Sequence, residues 1–358
     1  MVNITDNKEI SKMAETNVPT PVNLEKMVSD ILATIERERE REIVSRRFGL
    51  FDRKETLEQI GELLGITRER VRQLEKAVVQ RLKASAEKNL PHVAQIETLL
   101  LEKLSANGNV ARVSTLADDF SGDNERLTQA RISFLANLCP KLIVIDDNDH
   151  FYHAVAIKSV HDDKQLRTAV AKIIDAVKTL GQPSKIDAIA EAVNNSDTKH
   201  VAALASTSKQ LATLNGLWGL IKWPMVNPKN IRDKIYVILN VHGKPMHFNE
   251  IAKAIKGSEF KRKDVTTQAI HNELIKDGRF VLIGRGIYAL KEWGYSKGTV
   301  ADIISDVLKK AGEPLHRDEI VKRVLKSRQV KETTILLNLQ GKAQFKRVAK
   351  ATYALAEA

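Results

Sequence analysis

Four segments of the chain share one order of hydrophobic and polar positions. In each, an amphipathic helical pattern ends on a glycine, a short polar link follows, and a second, shorter helical pattern begins. The glycines are Gly108, Gly181, Gly243 and Gly312, spaced 62 to 73 residues apart, which indicates a repeated unit. A glycine at this point predicts a helix that ends on a left-handed residue.

Each repeat continues with a third helical pattern and closes on two short alternating segments, which predict a β-hairpin. Three helices and a hairpin are the order of a winged helix-turn-helix. In the third repeat Gly284 and Gly286 flank Arg285, which predicts a type I′ or II′ turn at the hairpin tip. In the second repeat the hairpin is expected within LWGLIKWPMVNP, where Pro224 and Pro228 place the last strand at a sheet edge.

Two further amphipathic helices are predicted before the repeats, on either side of a glycine. Thr56 is expected to cap the first helix, Gly65 to end it, and Thr67 to cap the second. The apolar positions expected to share one face of each helix are Leu57, Ile60, Leu63 and Leu64 on the first and Val71, Leu74, Val78 and Leu82 on the second. Two such helices joined by a short turn predict a helix-turn-helix.

The second of these helices has polar side chains suited to reading DNA. Arg68, Glu69, Arg72 and Gln73 lie off its apolar face, and the first turns of this helix enter the major groove in helix-turn-helix proteins. Arginine pairs with guanine, glutamine with adenine, and glutamate accepts from cytosine. The alternative is a solvated face whose charges pair along the helix, and periodicity alone does not decide between the two.

The positive charge of the protein lies mainly in its last third. The net charge is +12, and residues 229–358 carry 26 lysines and arginines against 14 aspartates and glutamates, which favours a polyanionic partner. The candidate phosphate contacts in this region are Lys261, Arg262, Lys263, Thr267, Arg285, Lys346 and Arg347. The nearly neutral first and second repeats are expected to be spacers or protein-binding modules.

Other chemistry has little support in the sequence. A single cysteine, Cys139, excludes a disulfide framework and a multi-cysteine zinc site. His150 and His153 are expected on opposite faces of a hairpin, and no nucleophile or phosphate-loop motif occurs. His247 and His316 share one repeat position, which indicates a structural role. We therefore expect no metal, no cofactor and no enzymatic activity.

No apolar run reaches the roughly 20 residues of a membrane span, and the first residues lack an apolar signal segment. These patterns predict no membrane contact. The expected location is the cytoplasm, in association with the nucleoid.

The stretch TRERVRQLE, from Thr67 to Glu75, resembles the recognition helix of region 4 of the sigma-70 family, and RRFGL and TLEQIGELLG before it extend the resemblance. In this family region 4 reads promoter DNA and docks on the β-flap of RNA polymerase. The resemblance implies base or phosphate contacts on this helix and a backbone contact at its start. The residues concerned are Thr67, Arg68, Glu69, Arg72, Gln73 and Lys76. Nothing in the chain resembles sigma regions 2 or 3, so promoter opening by this protein alone is not expected.

The third repeat resembles a second family. Its HFNEIA and GRGIYAL stretches, within about residues 231–294, are similar to the HARE-type winged helix-turn-helix, a module also found in the delta subunit of some bacterial RNA polymerases. The other three repeats look like degenerate relatives of it.

The expected fold is mainly α-helical, with a helix-turn-helix domain followed by tandem winged-helix domains. The predicted divisions are a disordered N-terminal segment at 1–23, a sigma-70 region 4-like helix-turn-helix at 24–90, winged units at 91–158 and 159–228, a HARE-type unit at 229–295 and a last winged unit at 296–358. The predicted function is a DNA-binding transcription factor that reads duplex DNA through the first domain and grips the backbone with the basic C-terminal units. Its expected partners are double-stranded DNA and core RNA polymerase.

The alternative is a polymerase-associated accessory or adaptor protein that acts through protein contacts. The sequence leaves the oligomeric state open.

Overall fold

A computed structural model describes residues 23–122, 124–260, 262–295, 298–328 and 330–356. Most of the expected disordered segment at 1–23 lies outside these residues. The described chain contains sixteen α-helices and twelve short strands, which confirms a mainly α-helical fold with small sheets. It divides into two compact units, residues 1–179 with 186–211 and residues 180–185 with 212–358. No helix in the described ranges is long and apolar enough to cross a membrane.

Four helices precede the repeats and belong to the first unit. They are α1 Leu24–Ala33, α2 Glu38–Phe48, α3 Leu57–Leu64 and α4 Arg68–Ala86. The predicted caps are confirmed, because the Thr56 hydroxyl accepts from the backbone N–H of Gln59, and that of Thr67 accepts from the N–H of Arg70. Gly65 ends α3 in the left-handed region, with φ 62°. The turn between α3 and α4 is therefore fixed by local chemistry at both ends.

The repeats follow as four copies of helix, short strand, helix, helix and hairpin. The first copy contains α5 Val93–Ala106, β1 Val110–Arg112, α6 Val113–Ser121, α7 Arg126–Leu138, β2 Leu142–Ile145 and β3 Ala154–Ile157. The second contains α8 Asp163–Leu180, β4 Ser184–Lys185, α9 Ile186–Ala192, α10 Thr198–Thr207, β5 Leu211–Leu214 and β6 Leu217–Leu220. The third contains α11 Ile231–His242, β7 Met246–His247, α12 Phe248–Lys256, α13 Thr267–Lys276, β8 Phe280–Gly284 and β9 Ile287–Leu290. The fourth contains α14 Val300–Ala311, β10 Leu315–His316, α15 Arg317–Ser327, α16 Glu332–Gly341, β11 Phe345–Ala349 and β12 Thr352–Leu355.

The four sheets have the same topology. Their strand orders are β1-β3-β2, β4-β6-β5, β7-β9-β8 and β10-β12-β11, so the first hairpin strand always lies at an edge. The strand pairings are antiparallel, and Met246 pairs with Tyr288 as Leu315 pairs with Tyr353. The predicted left-handed glycines are confirmed in all copies, with φ between 63° and 83° at Gly108, Gly181, Gly243 and Gly312.

Two hairpin predictions are wrong in detail. The hairpin of the second copy lies earlier than expected, and its turn is Asn215-Gly216, with φ 51° and 74°, whereas Pro224 and Pro228 follow the sheet. At the hairpin tip of the third copy, from Gly284 to Gly286, only Gly286 has a positive φ, of 67°, so the turn is neither type I′ nor type II′. A bulge between Leu282 and Gly284 shifts the strand register there and changes the turn.

The helix-turn-helix has a small core of its own and shares a larger core with the first copy. Ile43, Ile60 and Val71 are completely buried together. The predicted inward position of Leu63 is wrong, because this side chain is 55% exposed. The C-terminal half of α4, through Val78, lies in the same hydrophobic cluster as α1 and the helices of the first copy. The apolar side of α4 is thus covered by the protein's own helices.

The third helices of the four copies differ in burial. Helices α7 and α10 each bury six side chains and serve as core elements of the first unit. By contrast, α13 buries only Ile270 and Leu274, and α16 buries only Ile335 and Leu339. The first two copies therefore do not present this helix to solvent, whereas the last two do.

Candidate nucleic-acid interface

The first two turns of α4 present a row of polar side chains to solvent. The Arg68 and Arg72 side chains are 67% and 55% exposed, and Glu69 and Gln73 lie on the same outward side. Val71 between them is fully buried, so the helix cannot rotate to hide these residues without exposing its core position. Thr67 caps this end of α4, and Lys76 lies exposed one turn further on.

Three of the candidate contacts are bonded to one another. Arg72 donates from Nη2 to Glu69 Oε1 over 2.7 Å and from Nε to Oε2 over 2.9 Å, while Gln73 Nε2 lies 3.5 Å from the same carboxylate. The hydrogen bond from Arg72 lowers the pKa of Glu69, and Glu69 in turn raises the pKa of Arg72. Both groups therefore stay charged near neutral pH, and water screens the pair because it is exposed.

Two partners of these residues, Glu58 and Arg70, were not predicted from the sequence. Glu58 of α3 accepts from Arg68 Nη1 over 2.9 Å, which joins the two helices across the turn. Arg70 is exposed on α4 and its Nη1 lies 3.4 Å from Gln73 Oε1. The three-residue spacing of Arg70 and Gln73 is a usable sequence signal. No such signal exists for Glu58 and Arg68, which the turn brings together.

Close packing holds α3 and α4 in this arrangement. A Cβ on Gly61 would lie 2.7 Å from the carbonyl oxygen of Ile66, so glycine allows α3 to approach the turn. Arg47 of α2 donates from Nε to Glu75 Oε2 on α4 over 3.1 Å, with both side chains 22% exposed. The N-terminal turns of α4 are therefore held in a fixed position by α2 and α3.

The first candidate phosphate contacts of the second unit lie just before α13. Lys261 lies outside the described residues. Arg262 is exposed and left-handed, with φ 54°, and its carbonyl accepts from Lys234 Nζ over 2.7 Å. Lys263 is exposed, and Thr266 caps α13, so Thr267 is the first helical residue and is also exposed. These exposed residues directly precede or begin α13, and the backbone N–H groups at a helix start favour phosphate.

The hairpins of the second unit carry the other candidates. Arg285 is exposed at the tip between β8 and β9. Lys346 and Arg347 are exposed on the edge strand β11. No ion pair within the described part of the chain involves Arg285, Lys346 or Arg347. Their charges are thus available to an anionic partner, unlike those of Arg68 and Arg72.

The histidines have structural contacts. His247 and His316 cap α12 and α15 by accepting a backbone N–H on Nδ1, which confirms a structural role at this repeat position. His153 Nε2 lies 2.9 Å from the Ser133 hydroxyl, and burial lowers the pKa of His153. Among the described residues, no three His, Cys, Asp or Glu side chains are placed to hold a metal ion.

The geometry of α3 and α4 defines a helix-turn-helix module. Residues 37–84, which contain all the candidate contacts on α4, match the family model Sigma-70, region 4, a DNA-binding helix-turn-helix found in sigma factors. The RNA polymerase sigma factor SigA of a Bacillus species is 43% identical over 61 residues, which are 17% of this chain and 16% of that protein. The match therefore spans about a sixth of the length of this curated relative.

Proposed function

We propose that this protein is a DNA-binding transcription factor that reads a duplex sequence with the first turns of α4. The observation that carries the proposal is the exposed row of Arg68, Glu69, Arg72 and Gln73 on a helix matched by the sigma-70 region 4 model. Arginine donors fit guanine, the glutamine amide fits adenine, and the glutamate carboxylate fits the amino group of cytosine.

The ion pairs on α4 are compatible with this role. Arg72 and Glu69 are solvent-exposed, so their mutual bonds exchange readily with water or with base edges. Glu69 holds Arg72 and Gln73 together before DNA arrives, which reduces the side-chain freedom lost on binding. The core beneath α4, formed by Ile43, Ile60 and Val71, is fully buried, so only the exposed side chains have to move.

The basic part of the second unit is proposed to hold the phosphate backbone. Under this proposal the four copies at 91–158, 159–228, 229–295 and 296–358 are winged-helix units, the third of HARE type, and the helix-turn-helix occupies 24–90. The third and fourth copies supply Arg262, Lys263, Arg285, Lys346 and Arg347. Phosphate contacts carry no base information. Under this proposal α4 therefore provides sequence specificity, and the third and fourth copies provide affinity for the DNA backbone.

The test separates the two roles. Duplexes that bind the full chain are selected from a random library. Binding of the enriched duplex is then measured by fluorescence anisotropy over a salt series. Arg72→Ala with Gln73→Ala should remove the sequence preference. Arg262→Gln with Lys263→Gln should weaken binding to all duplexes alike and reduce the salt slope by about one per contact. Lys164→Gln, an exposed lysine of α8, serves as the control.

The outcome that contradicts the reading role is unchanged sequence preference in the Arg72→Ala, Gln73→Ala variant. The outcome that contradicts the gripping role is a salt slope equal to that of wild type in the Arg262→Gln, Lys263→Gln variant.

The second candidate function is an RNA polymerase accessory or adaptor protein, with the core enzyme and its β-flap as partner. One observation favours it: α7 and α10 are buried, so the first two copies cannot use these helices for DNA and are free to act as protein scaffolds. Capture of core polymerase by the full chain without DNA, combined with no mobility shift without polymerase, would support this function over the first. No catalytic step and no cofactor belong to either proposal, and both place the protein at the nucleoid.

A further inference from the structure

Two histidines meet where the second copy packs on the first. His161 follows β3, and His200 lies on α10, where it is only 7% exposed. Their Nε2 atoms are 2.9 Å apart, and the two rings meet edge to edge, with centroids 5.1 Å apart and planes inclined by only 14°. His200 Nδ1 lies 2.6 Å from the carbonyl oxygen of Gly108, which precedes β1. The pair therefore connects three separate segments of the first unit.

The hydrogen bonds fix where the protons lie. A carbonyl oxygen only accepts, so His200 must carry hydrogen on Nδ1 to bond Gly108, and its neutral ring then accepts on Nε2. His161 must in turn donate from Nε2. When one proton is added, one ring becomes a cation and donates from Nε2, and the other, neutral ring accepts on Nε2 after a change of tautomer where needed. The hydrogen bond between the rings is therefore kept. A second added proton puts hydrogen on both facing nitrogens and places two cations in contact.

The contacts around the pair hold α10 against the first copy. Arg112 of β1 donates from Nε to the carbonyl oxygen of Ser206. The backbone N–H of Tyr152 donates to the carbonyl oxygen of Thr207 over 2.8 Å. A Cβ on Gly108 would lie 2.7 Å from the carbonyl oxygen of Lys199 on α10, so the backbones of these two segments are in close contact. These contacts explain why α10, unlike α13, does not face solvent.

We infer that His161 and His200 form a proton-operated latch, and that the doubly protonated pair releases α10 from the first copy. Burial and the neighbouring His200 lower the pKa of His161, and Asp162 partly opposes them. The latch is therefore closed near neutral pH and opens in acid. Release would expose α10 to solvent. Its counterpart in the helix-turn-helix is α4, whose first turns are already exposed.

Charged groups on the elements around the histidine pair do not account for the proposed pH response. Those on the segments that pack around the pair are Lys158, Asp162, Asp163, Lys164, Lys172, Asp197 and Lys199. Asp197 caps α10 by accepting the backbone N–H of His200 over 2.9 Å, and Asp163 accepts from Arg167 Nε over 2.8 Å. Asp162 accepts the backbone N–H of Gln165 at the start of α8. The carboxylates thus have partners, and the titrating contact is the histidine pair itself.

Hydrogen exchange of the full chain, read by mass spectrometry from about pH 8 to about pH 5 and corrected for intrinsic exchange rates, tests the latch. We expect exchange within α10 to increase on acidification by at most about tenfold per pH unit for each proton taken up. His161→Gln keeps a donor to His200 and does not titrate, so its α10 should respond much less. His92→Gln, which replaces a histidine of the same unit that contacts Asp30 of α1, should keep the wild-type response.

Unchanged α10 protection in wild-type protein, or a full acid response in His161→Gln, would overturn the inference. NMR titration of the ring protons gives an independent measurement that does not depend on exchange. His161 should titrate at a higher pH in His200→Gln than in wild type, because the neighbouring ring lowers the pKa of His161. An unchanged titration of His161 in His200→Gln would also overturn the inference.

Discussion

Replacement of Gly108 by alanine tests how closely the first two copies are packed. Gly108 has φ 83°, and a Cβ there would lie 2.7 Å from the carbonyl oxygen of Lys199 and 3.0 Å from Cβ of Ala203, both on α10. Two other glycines provide matched controls. Gly122 ends α6 in the same unit with φ 68°, and Gly243 has the same repeat position as Gly108 with φ 63°, and both have open space around the added carbon.

The expected cost can be divided into two parts. Left-handed backbone costs a residue with a side chain roughly 1–2 kcal/mol, of which about 0.4–1 kcal/mol is recovered because alanine restricts the unfolded chain. This part is common to all three variants. At Gly108 the backbone of α10 must also move away from the new methyl group, and overpacking of this kind costs about 1–3 kcal/mol. We therefore expect Gly108→Ala to be more destabilising than Gly122→Ala by about 1–3 kcal/mol.

Calorimetry and hydrogen exchange together measure this difference. For a unit of this size 1 kcal/mol shifts Tm by about 2–4 °C, so Gly108→Ala should unfold several degrees below Gly122→Ala. Because two units need not unfold together, exchange within α10 assigns the loss to the correct part of the chain. If Gly108→Ala costs no more than Gly122→Ala and leaves α10 protected, the close packing of α10 on this turn is refuted.

Three other predictions follow from burial. Burial raises the pKa of the Cys139 thiol to about 12, so a thiol reagent at about pH 8 should modify the protein only after denaturation, and rapid modification of the folded chain would contradict this. Ile60→Ala should cost about 2–4 kcal/mol in urea unfolding, whereas Leu63→Ala on the same helix should cost under about 0.5 kcal/mol, and equal costs would disprove the small core. Burial lowers the pKa of His153, so the folded state binds its proton less readily than the unfolded chain. The free energy of unfolding should fall as the pH drops below about 6.5, and His153→Gln should reduce that fall in urea titrations at two pH values.

The local features of the chain could be predicted well from its sequence. The caps Thr56 and Thr67 depend on a hydroxyl and the next turn of backbone, and the left-handed Gly65 depends on the absence of a side chain. The repeat was visible for the same reason, since each copy ends its first helix on glycine. The outward position of Arg72 and its neighbours follows from the 3.6-residue helical period once Val71 is placed inside.

Features that depend on distant residues were missed or placed wrongly. Leu63 has the periodicity of a core residue but is exposed, because no element of the described chain packs on that side of α3. The turn of the third copy depends on a bulge in strand pairing, which residue types alone do not specify. Glu58 becomes a partner of Arg68 only after two helices have packed across the turn.

The sequence by itself therefore determined α3 and α4 with the caps between them, the fourfold repeat and the side chains that α4 presents to solvent, whereas α1 and α2 were not predicted. Each of these follows from interactions within a few residues, which a residue pattern records directly. The tertiary structure alone decided which third helices are buried, how the candidate contacts are paired, and that His161 meets His200 beside Gly108. These contacts join residues tens of positions apart, and their energies exist only once the core has brought the segments together.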